Sequence, residues 1–156
     1  MKKKVIIYSF IIVIVDLISK LVIDKLLKIN ETISIINNFF SITKVFNRGA
    51  SFSMLIGYRL LFILIGIIAI VILFKYLNNF KMNIRNICAF SLLIGGIIGN
   101  LIDRVIYGYV IDFLDFNIFG YDAPIFNIAD TCICIGAFLL FYAIMKREDI
   151  NEIDSK

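Results

Sequence analysis

Four long apolar stretches, at about residues 5–27, 58–77, 87–106 and 125–145, constrain this chain more than any motif in it. Each is close to the ~20 residues an α-helix needs to cross the hydrocarbon core of a bilayer. Backbone polar groups in hydrocarbon must be satisfied within the segment, so the runs are expected as helices. The composition agrees: 61% of residues are hydrophobic, against about 45–50% in soluble domains. The expectation is an all-α membrane protein, a single integral domain over residues 1–156 with four transmembrane helices.

The opening MKKKVIIYSFIIVIV has the basic start of a secretory signal, but the apolar run continues through DLISKLVIDKLL with no small-residue cleavage site, so it reads as an uncleaved first span. Lys2, Lys3 and Lys4, Lys75, Lys81 and Arg85, and Lys146 and Arg147 fall on one side of the four spans. The positive-inside rule then puts both termini in the cytoplasm, although Lys25, Lys28, Lys44, Arg48 and Arg59 fall on the other side. Between the first two spans, residues 31–54 are rich in β-branched and aromatic types and alternate over Phe40 to Thr43, which predicts a small extracytoplasmic β-sheet.

Charge and residue usage exclude several functions. The formal net charge is +4, but the basic residues form no stripe interleaved with aromatics, so no nucleic acid partner is expected. The chain has no histidine, which removes Ser/His/Asp and Cys/His catalysis and imidazole zinc sites. Cys88, Cys132 and Cys134 lie in apolar runs, and the CxC pair faces apart on a helix, so neither a disulfide nor a metal site is expected. No cofactor is called for.

What remains is carboxylate chemistry. An ionisable group at membrane depth costs roughly 2.5 kcal/mol or more and by default has a function and a partner. Asp130 opens the fourth span inside FNIAD, and Asp112 follows the third inside GYVIDF, so both approach the same membrane surface. Two carboxyls held close in a low-dielectric site share a proton and act as an acid and a base in one device, as in aspartic proteases. Asn127 three residues before Asp130 has the pattern of an N-cap, which favours negative charge on Asp130 and leaves Asp112 as the proton holder; a cap at Asp122 would weaken this.

Elsewhere, Asp16, Lys20, Asp24 and Lys28 follow one another at steps of four and can neutralise each other along one face of the first span. GGIIGNLIDR puts Gly96, Gly99, Asn100, Asp103 and Arg104 at helical spacings; close helix packing explains the glycines but not the polar group at the end. Asp103 and Arg104 read either as an interfacial pair or as a clamp for a loop or substrate.

DLISK, NRGASFS, GNLIDR with GYVIDF, and FNIAD, in that order from Asp16 to Asp130, together resemble the bacterial lipoprotein signal peptidases (signal peptidase II), a family of intramembrane aspartyl peptidases. The resemblance implies a peptidase of the bacterial cell membrane that acts on lipid-modified prolipoproteins among membrane lipids, as a monomer, cutting just before a diacylglyceryl-modified cysteine. It assigns catalysis to Asp112 and Asp130, places Asn47, Gly49, Asn100, Asp103, Arg104, Asn127 and Ala129 around them, and gives Asp16 and Lys20 a supporting role. It implies no cofactor, and a site near the outer face. One departure is Ser51, where the family pattern has alanine; it raises a Ser/Lys pair with Lys44 or Lys20 as a rival nucleophile. A transporter is the rival class, but it predicts charges continuing across the membrane, whereas here they collect at one end of the bundle.

Overall fold

The computed structural model describes residues 2–49, 57–81 and 83–146. Helices α1 (Lys2–Leu26), α2 (Arg59–Tyr76, followed by a short 3-10 turn at Leu77–Asn79), α3 (Ile84–Ile106) and α4 (Ile128–Met145) fall on the four apolar stretches. Each is long and apolar enough to cross a membrane. Ser51 and Arg147 lie outside the described residues.

Helix α3 is the axis of the bundle and packs against α1, α2 and α4. Its glycines make this possible. A Cβ on Gly96 would sit 2.5 Å from the Ala129 carbonyl oxygen, one on Gly95 would sit 2.8 Å from the Ile12 Cβ, and one on Gly99 would reach Asp16 Oδ2. Small residues let helix backbones approach where lipid offers no hydrophobic drive to association. Helix α1 faces α3 with a stripe of Val5, Ser9, Val13, Asp16 and Lys20, while α2 has no buried residue and flanks the bundle.

A four-stranded antiparallel sheet completes the fold, in the order β1 (Thr32–Ile36), β2 (Phe40–Asn47), β3 (Val110–Ile118) and β4 (Tyr121–Asp122). Half of it was expected between the first two spans. The other half, β3 and β4, occupies the segment between the third and fourth spans that carries Asp112. The run VIDFLDFNI has strand composition, but its two faces both mix polar and apolar residues, so alternation is hidden. Phe119 and Gly120 close the β3–β4 hairpin with φ of 53° and 87°, as a two-residue type I′ turn requires.

Helix α4 starts three residues later than the apolar run. Ile125 lies outside the helix, Phe126 bridges Leu114, and Asn127 is the N-cap. Gly108, with φ 81°, follows the last turn of α3 and turns the chain into β3.

Because the Gly96 contact is with backbone, Gly96→Ala is expected to cost about 1–3 kcal/mol through overpacking. Denaturation of the detergent-solubilised protein followed by circular dichroism measures it, and an unchanged midpoint contradicts the close approach.

Candidate active site

Strand pairing brings Asp112 to its neighbours. Ile42 pairs with Leu114 but Val45 pairs with Asp112, so β2 carries one extra residue between them. Continued without this bulge, the register would put Lys44 opposite Asp112. With it, the side chains of β2 exchange faces beyond the irregularity. Lys44 turns away to α1, where its Nζ donates to the Asp24 and Leu27 carbonyls and pairs with Asp24 Oδ1 at 2.7 Å. Asn47, two residues beyond Val45, shares the Asp112 face, and its Nδ2 donates to Asp112 Oδ2 at 2.8 Å.

Asp130 comes from the first turn of α4. The Asn127 side chain accepts from the Asp130 amide at 2.8 Å while Asp130 Oδ2 accepts from the Asn127 amide at 3.3 Å, a reciprocal capping box. The alternative cap, Asp122, instead accepts from Asn117. Asn127 also holds the other carboxyl: its Nδ2 donates to Asp112 Oδ1 at 2.6 Å. One buried asparagine therefore grips both aspartates, joining the start of β3 to the start of α4.

Beneath them lies an ionic cluster. Lys20 Nζ is 2.7 Å from Asp16 Oδ2, 3.0 Å from Asp103 Oδ2 and 3.1 Å from Asn100 Oδ1. Asn100 Nδ2 in turn donates to Asp130 Oδ1 at 2.7 Å. Asp16 Oδ1 accepts the Ala129 amide at 2.9 Å, so a carboxylate of α1 satisfies a free N–H of the first turn of α4. The four-step seam predicted along α1 thus forms only in part. Asp16 and Lys20 pair, but Asp24 pairs with Lys44, and no Asp24–Lys28 pair occurs among the described residues, because Lys44 reaches Asp24 from the sheet.

Asp103 and Arg104 do not pair with each other. Asp103 turns to Lys20 and accepts from the Ile111 amide, whereas Arg104 turns to the opposite side, donates to the Gly49 carbonyl at 3.2 Å and lies over the Phe62 ring. The clamp reading of these two residues is the one the geometry carries. Gly49 is further tied by its N–H to Asn47 Oδ1. Sequence reasoning overlooked Arg59, whose guanidinium donates to the Arg104 and Val105 carbonyls at the end of α3. Its position at the start of α2 carries no local signal of that contact.

Asn47, Asn100, Arg104, Asp112 and Asp130 line one side of a cavity of ≈ 710 Å³; Phe62, Gly66, Ala69, Ile97, Leu101 and Ile133 extend it as an apolar wall between α2, α3 and α4. Asp112 is 2% exposed. Burial, and then the neighbouring charge of Asp130, push its carboxyl up to about 7, against the opposing pull of the Asn47 and Asn127 amides and of Lys20. A carboxyl with that value is an acid at neutral pH and a base just above it. Both lysines of the proposed Ser/Lys pair are engaged in ion pairs, Lys20 with Asp16 and Asp103 and Lys44 with Asp24. Among the described residues no group of three His, Cys, Asp or Glu side chains converges on a metal position.

The fold has four helices of membrane-spanning length and a cavity lined by Asp112 and Asp130, and the family match places the chain among membrane peptidases of the aspartic type. The model of the family described as signal peptidase (SPase) II matches residues 8–146, and the chain belongs to that family. Relatives include the "Lipoprotein signal peptidase" of Staphylococcus aureus (strain bovine RF122 / ET3-1), 41% identical over 142 residues, covering 90% of this chain and 87% of the relative. That of Halothermothrix orenii is 39% identical, covering 91% and 95%. A bacterial membrane enzyme solved by the in meso method at 2.3 Å resolution superposes with a TM-score of 0.83 at 40% identity, covering 91% of this chain and 87% of that one.

Replacing Asn127 by Ala removes a donor that favours the charged form of Asp112. The Asp112 titration midpoint, read by carboxyl infrared difference spectroscopy, is expected to rise above its value of about 7; a fall or no change contradicts the contact.

Proposed function

We propose that this peptidase removes signal peptides from lipid-modified prolipoproteins, using Asp112 and Asp130 as a proton-sharing dyad. The single observation that carries the reading is Asn127 holding both carboxyls, at 2.6 Å and 3.3 Å, in the wall of a cavity that is polar at one end and apolar along its length. The relatives' shared name supports the substrate class. The apolar wall suits a substrate that is itself anchored in lipid, and the polar end suits the peptide.

In this reading Asp130 is the ionised member. It accepts N–H bonds from Asn100 and from the Asn127 backbone at a helix N-terminus, where negative charge is favoured. Asp130 takes a proton from a water molecule, and the water oxygen adds to the scissile carbonyl carbon. Asp112 gives its proton to the carbonyl oxygen, forming a neutral tetrahedral diol. The proton acquired by Asp130 passes to the leaving amine as the C–N bond breaks, and the diol returns a proton to Asp112 as the acid re-forms. Asn47 and Arg104 flank the polar end and offer N–H donors to backbone carbonyls of a peptide in extended form. Cleavage falls immediately before the lipid-bearing cysteine, with the acyl chains against α2 and α3.

The same reading puts the sheet and the dyad at the outer face and both termini in the cytoplasm. The support is the lysine and arginine distribution and the collection of polar groups at the sheet end of the bundle. It treats the monomer as the working unit.

Asp112→Asn and Asp130→Asn are each expected to insert and fold but to leave a diacylglyceryl-modified precursor uncut in a gel-shift assay, with kcat lowered about 10⁴-fold or more. Retained cleavage in either variant rules the dyad out. The acid is present below the raised Asp112 value and is lost as pH rises through it, so kcat/KM should decline above a pH of about 7. A rate that climbs steadily to pH 9 would reverse the assignment.

A further inference from the structure

Three asparagine side chains donate to the aspartates, Asn47 and Asn127 to Asp112 and Asn100 to Asp130, and an asparagine amide is useful only if its donor and acceptor ends point the right way. At Asn127 the choice is made by the backbone. Its Oδ1 accepts from the Asp130 amide, which can only donate, so its Nδ2 must face Asp112. Asn100 lies in the middle of a helix turn and has no such neighbour in its own backbone.

We propose that Lys20 is a positioning residue that sets the orientation of the Asn100 amide and thereby makes it a donor to Asp130. An ammonium has three N–H bonds and no acceptor. All three find acceptors, in Asp16, Asp103 and Asn100, with the side chain only 2% exposed, so water cannot substitute for any of them. A reversed Asn100 would turn its NH2 against the ammonium and its oxygen against the Asp130 carboxylate, placing two like poles in contact at each end. The same oxygen also accepts from Asn127 Nδ2 at 3.1 Å, so the ammonium and Asn127 agree on which end faces inward.

The arrangement is directional from α1 to α4: Lys20 Nζ to Asn100 Oδ1, then Asn100 Nδ2 to Asp130 Oδ1. A cation that touches no substrate thus acts on the base through one amide. The charged and titratable groups around Lys20 and the two aspartates are Asp16 and Asp24 on α1, Asp103 and Arg104 on α3 with Tyr107 at its end, Tyr109 before β3, Asp112 on β3, Asp122 on β4, and Asp130 with the Cys132 and Cys134 thiols on α4. The bulge in β2 keeps Lys44 out of this set, so among the described residues Lys20 is the one lysine in contact with an asparagine that binds the dyad.

This inference rests on the dyad reading, and its test separates the two. Full-length enzyme in mixed micelles is assayed with a diacylglyceryl-modified precursor, and its folded state is checked by thermal unfolding. Lys20→Arg, which also only donates, is expected to keep kcat within about tenfold of wild type and the same pH limb. Lys20→Gln can still donate to Asn100 but lacks the charge, so it should cut deeper into kcat and move the alkaline limb upward by about half a pH unit or more.

In an Asp103→Asn background, Lys20→Met should lower kcat about tenfold or more with KM within about threefold. Adding Asn100→Ala should then cost less than about threefold beyond Asn100→Ala in that background, because both changes break one chain of contacts. Losses that multiply, a loss carried by KM, or a folded Lys20→Gln whose pH limb stays at the wild-type position would each overturn the inference. If the Met variant does not fold, the Arg and Gln pair decides. Asp112→Asn run alongside identifies which idea has failed. Cleavage there removes the dyad, whereas an inactive Asp112→Asn with multiplying Lys20 and Asn100 losses removes only the role of Lys20.

Discussion

A lysine ammonium enclosed by protein at membrane depth must find an acceptor for every N–H bond, and the architecture of this chain follows from how Lys20 does so. Its three acceptors come from α1 and α3, and through Asp16 and Asn100 they bind the first turn of α4. Removing one member of such a cluster leaves an uncompensated buried charge, typically worth about 3–5 kcal/mol. The cluster therefore ties three helices together at the height where the two aspartates sit, in a medium that offers no hydrophobic drive for helices to associate.

Close packing and polar bonding depend on each other here. Gly99 leaves room for Asp16, and Gly96 lets α4 come near enough for the Ala129 amide to reach that carboxylate. Ala129 is fully buried in the same contact, which gives its place in FNIAD a steric reason in addition to any part in a site. Helix α2 contributes apolar wall to the cavity but no buried residue, so the cavity is bounded on one side by the least tightly packed span.

The sheet solves a different problem. Asp112 needs amide donors and no cation directly opposite, and a single extra residue in β2 achieves both by bringing Asn47 onto its face and sending Lys44 to the end of α1. The Asp112 carboxyl then stands at about 7, where burial and Asp130 outweigh the amides.

The sequence by itself determined the four helices, since apolar runs of this length have no other stable form in a bilayer. It offered Asn127 as the N-cap, since capping is local, with Asp122 as the alternative that the structure removed, and it pointed to the two aspartates because charge in a span is costly enough to be conspicuous. The partners were decided only by tertiary structure. That Asp24 bonds Lys44 rather than Lys28, that Asp103 and Arg104 face opposite ways, and that Asp112 lies on a strand all depend on residues tens of positions away. A hydrogen bond or ion pair acts over a few ångströms in space, and separation along the chain leaves no trace of it in local pattern.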